Sequence, residues 1–369
     1  MELVNATGME AGWTLGMDPD GREYVVVAVK GTFTIRSGGG EVRLADQQVP
    51  LVMADEFTGE PGFSATLYES EFPLYKPKCD VLLNGSAYAP GGKPTNRVTV
   101  GLKVGRISKG FSVVGDRVWE KSAGMMAVSS PEPFTQMPIT YDRAYGGTDV
   151  SPRDPEKAKA YMLNPVGVGY YPLSDGDALL GRPLPNMEEL DRPAIERNGK
   201  YRPMSLGAIG RNFESRIPFA GTYDQDWIDN VFPFLPKDFN PLYHQVAPPD
   251  QQMDHPKGGE WVELFNLTPE GKTVLQLPEM EMPVEFTDED FERTEVQAVI
   301  DTIIIEPGHG RIMLVWRASR ALKRDIFEMR QGVVGRMPSG WYRARSLGKD
   351  YYPSLKELVA SRAEEEGAA

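Results

Sequence analysis

Cysteine is almost missing from this chain: Cys79 is the only one in 369 residues. An intramolecular disulfide and a cysteine-built metal cluster are therefore both excluded, which suits a reducing compartment, and Cys79 itself reads as a buried, inert thiol. Histidine is nearly as scarce, with His244, His255 and His309 alone and none at the spacing of a helical zinc motif. Long apolar runs are lacking too. No stretch reaches the ~18 residues of a membrane-spanning helix, and Met1–Asn5 has neither the basic segment nor the apolar run of a signal peptide. A cytoplasmic protein without membrane contact is expected. Positive charge is in deficit: 40 Lys and Arg stand against 53 Asp and Glu, a net charge of −13 that repels phosphate backbones and anionic lipids. Nucleic acid is not an expected partner.

What is abundant is glycine (38) and proline (31), which favours strands and turns over long helices. Residues 24–35 alternate, with Val25, Val27, Val29, Phe33 and Ile35 on one side and Lys30, Thr32 and Thr34 on the other, as in a half-buried strand. Val98, Val100, Leu102 and Val104 alternate again, and a strand at Phe111–Val114 follows Gly105. Trp261–Leu267 and Lys272–Leu277 flank Thr268-Pro269-Glu270-Gly271, a turn sequence with proline at its second position. Val299–Ile305 and Ile312–Trp316 flank Glu306–Gly310 in the same way. Between them, residues 120–250 are broken by Pro and Gly, with short helices expected from Asp154 to Met162 and from Asp224 through Trp227 and Ile228. At the end, Ser354 and Glu357 form a capping box for a helix carrying Leu355, Leu358 and Val359. The fold class expected is mainly β: two antiparallel, sandwich-like lobes (1–125 and 256–345), an irregular connection (126–255), and a C-terminal helix with an acidic tail (346–369).

Chemistry is thinly represented. There is no G-x-S-x-G elbow, no phosphate-binding lysine loop and no strand-linked G-x-G-x-x-G, so no cofactor is expected. Asp224 and Asp226, which read most simply as an acidic helix start, and His244 and Asp254-His255 are the residues an enzyme would have to use, in a cleft between the lobes. The stronger signal is aromatic side chains in proline-rich connections, where loops are usually polar. Phe72, Tyr75, Trp227, Phe232, Phe234, Phe239 and Tyr243 are candidate partner anchors, with local satellite cores as the alternative.

Several motifs occur in order: Glu69–Asp80, Pro138–Gly147, Asn164–Gly169, Leu184–Asn186, Ala220–Trp227, Phe234–Phe239, Ala247–Gln251 and Leu264–Pro269. Over roughly residues 20 to 340 they make the chain resemble a bacterial domain of unknown function encoded beside type VI secretion genes. The resemblance implies a cytoplasmic adaptor or chaperone without catalytic residues. Its partners would be an effector toxin and the spike of a VgrG-type trimer with a PAAR-type tip. Export as a structural part of the spike is the other non-enzymatic expectation. Asn240 departs from the pattern, standing where an aspartate is expected after Phe239.

Overall fold

The computed structural model describes the whole chain except residues 37, 152, 155, 353, 357, 358 and 360–369. It is mainly β. In chain order the principal strands begin with β1 (Glu2–Asn5), β2 (Glu10–Met17), β3 (Glu23–Thr34) and β4 (Cys79–Leu83). The hairpin β5 (Arg97–Val104) and β6 (Ile107–Val114) turns on Gly105, whose φ of 52° suits glycine. The hairpin β7 (Trp261–Phe265) and β8 (Lys272–Gln276) closes with Gly271 N–H donating to the Thr268 carbonyl at 3.0 Å. After β9 (Pro283–Asp288) and β10 (Arg293–Gln297), the third hairpin joins β11 (Val299–Glu306) to β12 (Arg311–Ala321), and β13 (Met329–Val334) ends the series.

These strands do not sort into an N-terminal and a C-terminal lobe. One sheet runs β2-β3-β12-β11-β4, another places β5 and β6 beside β7 and β8, and a third runs β1-β13-β9-β10. All three feed one apolar core holding Val27, Leu102, Leu264, Phe286, Ile303 and Trp316. Nor is the pairing purely antiparallel: β4 runs parallel to β11, and β1 to β13. The physical reason is that a lone hairpin buries too little to be stable, so hairpins from the two ends of the chain complete one another's sheets. Parallel pairs need long connections, and here the whole middle of the chain supplies one.

β3 also differs from the half-buried strand expected. Lys30 and Thr32 are as buried as the valines, because residues 48–52 and 71 lie across their face. Lys30 Nζ reaches Glu71 Oε1 at 2.9 Å and the Pro50 carbonyl at 3.1 Å, while Thr32 Oγ1 accepts from Val49 N–H. A strand covered on both faces must satisfy its polar side chains internally, and this one does.

The helix expected from Asp154 to Met162 is replaced by a short strand, Ala158–Ala160, paired with Thr148–Val150. Its Pro155 lies outside the described residues. Buried Asp149, in that hairpin, accepts from the amides of Leu173 and Ser174, a tertiary anchor that outweighs local propensity. The expected capping box falls on Glu357, which is also outside the described residues. The second expected helix does form: α1 (Gln225–Asn230) is capped by Asp224 Oδ1, which accepts from Trp227 N–H at 2.9 Å. A further helix, α2, spans Ser339–Ser346.

Candidate functional site

Cys79 begins β4 fully buried, and burial pushes its thiol well above the usual range. Its neighbour Asp80, 0% exposed, organises the region. The carboxylate accepts from Lys76 Nζ (2.8 Å), Gln245 Nε2 (2.8 Å), Val246 N–H (3.0 Å) and Ala247 N–H (3.1 Å). Two distant motifs are thereby fastened together, and the second directly follows residues 216–244.

That segment leaves the core and returns to it. At its root, buried Arg216 pairs with Glu69 and donates from Nε (3.1 Å) and Nη2 (2.6 Å) to the Tyr243 carbonyl, while Asn240 N–H bonds the Phe219 carbonyl at 3.0 Å. Asn240 Oδ1 also caps the turn at Pro241–His244, accepting from Leu242 N–H at 2.9 Å, a role an aspartate would fill equally. At the tip, Trp227 Nε1 donates to the Phe234 carbonyl at 3.0 Å, and Tyr223, Trp227 and Phe232 meet edge to face with centroids 4.8 and 5.5 Å apart. Phe234 rests on Gly21 in the turn between β2 and β3.

The seven aromatic candidates accordingly divide. Phe232 (66% exposed), Phe234 (42%) and Tyr75 (46%) face solvent. Phe72 packs over Gly12 of β2, Trp227 is the half-buried hub of the tip, and Phe239 and Tyr243 stack against His244 and each other. These four act as scaffold. Tyr223 (54% exposed) and Ile228 (55%) extend the apolar surface and went unread. Tyr223 lies within the Ala220–Trp227 motif, where its loop position was the available signal.

Below the segment lies a cavity of about 160 Å³ lined by Glu69, Phe72, Lys76, Arg211 and His244 among others. It is smaller than the ~300–1,000 Å³ of typical small-molecule pockets. His244 is held neutral here: burial, then Lys76, Arg211, Arg216 and Arg317, bring its pKa down to about 3. Burial alone would raise the Asp55 carboxyl, but hydrogen bonds from Arg211 and the Ser70 amide outweigh it and hold the group below its ordinary value. Arg211 in turn is raised, chiefly by its bond to Asp55. Asp224 and Asp226 do not line this cavity: one caps α1 and the other accepts from Asn230 Nδ2 at 2.7 Å. His255 Nε2 lies 3.0 Å from the Lys76 carbonyl, and His309 is exposed. Among the described residues, no three His, Cys, Asp or Glu side chains gather to hold a metal ion, and no helix is long and apolar enough to cross a membrane.

The other motifs are architectural. Buried Asn164 donates from Nδ2 to the carbonyls of Tyr141 (2.9 Å) and Tyr145 (3.1 Å). Gly146 and Gly147 pass so close that an added Cβ would stand 2.1 Å from the Asn164 carbonyl oxygen and 2.3 Å from that of Gly167. Asn186 Nδ2 ties this knot to β6 through the Val114 carbonyl at 3.0 Å. No curated protein and no solved structure matches the chain. The model of a family described as an uncharacterized protein conserved in bacteria (DUF2169) matches residues 20–317, which takes in every one of these motifs. The chain belongs to that bacterial family.

Proposed function

We propose that this protein works by binding another protein, through the exposed aromatic surface of residues 216–244, and has no catalysis of its own. The observation that carries the reading is the pairing of exposed Tyr223, Phe232 and Phe234 with a scaffold hydrogen-bonded at root and tip. Contiguous apolar surface on an otherwise acidic protein marks an interaction site, and buried aromatic anchors supply most of the affinity of such sites. The engagement of Asp224 and Asp226 in α1 favours this reading over a hydrolase.

The family description names no activity, so the biological assignment rests on the resemblance to proteins encoded beside type VI secretion genes. On that basis the partner is an effector toxin, captured in the cytoplasm and handed to the VgrG/PAAR spike. A loading factor must release its cargo, which requires moderate affinity. The test is recovery of tagged protein from its native bacterium, with mass spectrometry of what survives a salt wash. Wild type is expected to retain an effector with a spike or tip protein. The double variant Phe232→Ala, Phe234→Ala is expected to lose it at least about tenfold with its unfolding midpoint unchanged, since exposed side chains contribute little to stability. Phe239, packed on His244, is unsuited to this test. Unchanged capture by the folded variant removes the aromatic surface from the function, and recovery from culture supernatant of intact cells identifies an exported spike part.

A further inference from the structure

β2 is the edge of its sheet: among the described residues, β3 is its only strand partner. All eight of its residues are at least partly accessible, while β3 beside it is buried from Val25 to Phe33. The direction of its backbone groups follows from β3. The Thr32 N–H and carbonyl face Gln48 and the Ala45 amide, on the side where β2 lies, whereas Glu23, of opposite parity, gives its carbonyl to Leu322 next to β12. Successive residues of a strand alternate, so Lys30, Ala28, Val26 and Tyr24 bond to Glu10, Gly12, Thr14 and Gly16 in the observed register. The N–H and C=O groups of Ala11, Trp13, Leu15 and Met17 therefore point away from the sheet. Among the described residues no other backbone group bonds them. The row opens just past Met9, whose carbonyl is taken by Asn5 Nδ2 at 2.6 Å.

Natural edges are blunted by proline, lysine or a bulge; β2 has none of these. Its far end runs into a hollow of about 560 Å³ lined by Met17, Gly21, Arg22, Phe234 and Leu322 among others, which joins the edge to the aromatic surface. Charge defines what fits. Residues 10–23 and 217–240 carry eight carboxylates (Glu10, Asp18, Asp20, Glu23, Asp224, Asp226, Asp229, Asp238) against Arg22 and Lys237, and the hollow adds Asp325, Lys323 and Arg324, which leaves nine acidic groups against four basic ones. A second copy of this acidic chain is disfavoured, and a basic segment is favoured.

We propose that β2 receives an extended, basic segment of the partner protein as an added strand, its backbone paired with Ala11, Trp13, Leu15 and Met17 and an apolar side chain reaching Phe234. This deepens the protein-binding reading above and rests on it. The main-chain bonds supply affinity, and the acidic rim with the hollow supplies selection.

The probe is a synthetic peptide alternating lysine with valine, matched in length to β2, with glutamate replacing lysine in the control. Hydrogen exchange of the outward amides of Ala11, Trp13, Leu15 and Met17 is expected to slow at least about tenfold with the lysine peptide and to be unmoved by the glutamate peptide. Leu15→Pro removes an outward N–H without touching the β3 ladder and is expected to weaken binding at least about tenfold, while Leu15→Thr, which keeps the N–H, is expected to retain most of it. Equal binding of both peptides, full binding by a folded Leu15→Pro, or slowed exchange at high protein concentration without peptide, the mark of self-pairing, overturns the proposal. Wild-type exchange stays decisive if Leu15→Pro fails to fold. A native partner lost with Phe232 and Phe234 whose binding leaves β2 exchange unchanged sinks strand addition alone. Slowed exchange in β2 with capture indifferent to those aromatics sinks the aromatic reading instead.

Discussion

Replacing Asp80 with alanine should be among the most destabilising single changes available in this chain. The side chain is fully buried, and its four donors come from Lys76, Gln245 and the amides of Val246 and Ala247. Its loss leaves the Lys76 ammonium, 6% exposed, with Thr302 Oγ1 at 2.9 Å as its remaining side-chain partner. Removing one member of a buried ion pair costs about 3–5 kcal/mol, and each stranded amide adds about 1–3 kcal/mol unless water reaches it. A loss of about 4 kcal/mol at a urea m-value of about 3 kcal/mol/M lowers the midpoint by more than about 1 M. The assay is equilibrium urea unfolding followed by tryptophan fluorescence, with hydrogen exchange of residues 245–247 as the local readout. Lys76→Met should cost less, because the carboxylate keeps its other three donors. In a Lys76→Met background, the further loss from Asp80→Ala should shrink by at least about 1 kcal/mol, since the two groups are in contact. A midpoint within about 0.3 M of wild type for Asp80→Ala, or full additivity in the double variant, would refute the reasoning.

Two further outcomes follow from the same region and from the glycine knot. His244 titrates near pH 3 folded and near 6.5 unfolded, so the unfolded chain binds the extra proton between those values; its stabilisation is complete above pH 6.5 and is lost as pH falls toward 3. His244→Gln should therefore flatten the acid side of the stability profile by up to about 1.4 kcal/mol per pH unit, and an NMR titration placing the wild-type imidazole near 6.5 would dispose of this. Gly146→Ala puts a Cβ against the Asn164 carbonyl at a φ of 150°, and at least about 2 kcal/mol of destabilisation is expected from thermal unfolding, with near-wild-type stability as the contrary result.

Local structure was legible where local physics decides it. The hairpins at β5–β6, β7–β8 and β11–β12 announce themselves by alternation and by turn residues such as Gly105 and Gly271, and Asp224 declares the start of α1. Sheet membership was not legible, because Lys76 and Thr302 bond across 226 residues of sequence and no periodic signal spans that distance. The burial of Lys30 has the same origin: its covering comes from Pro50 and Glu71, which nothing in the pattern of residues 24–35 foretells. In the candidate site the aromatic content of the loop was plain, but irregular backbone has no period from which to read side-chain direction. Phe239 and Trp227 thus turned inward as scaffold while Phe232 and Tyr223 turned out.

That division bears on how such a surface can bind. A loop that must be ordered on binding pays its conformational entropy out of the affinity. Residues 216–244 have already met much of that cost, since Arg216 joins the root to Tyr243, Asp80 holds residues 245–247 that follow, and Trp227 clasps the tip through the Phe234 carbonyl. Exposed rings on a fixed frame are then presented in one arrangement, and truncating Phe232 removes contact area without loosening the frame. Truncating Trp227 does both. The two substitutions should therefore separate affinity from order, with Phe232→Ala changing partner binding alone and Trp227→Ala also raising hydrogen exchange across residues 222–235.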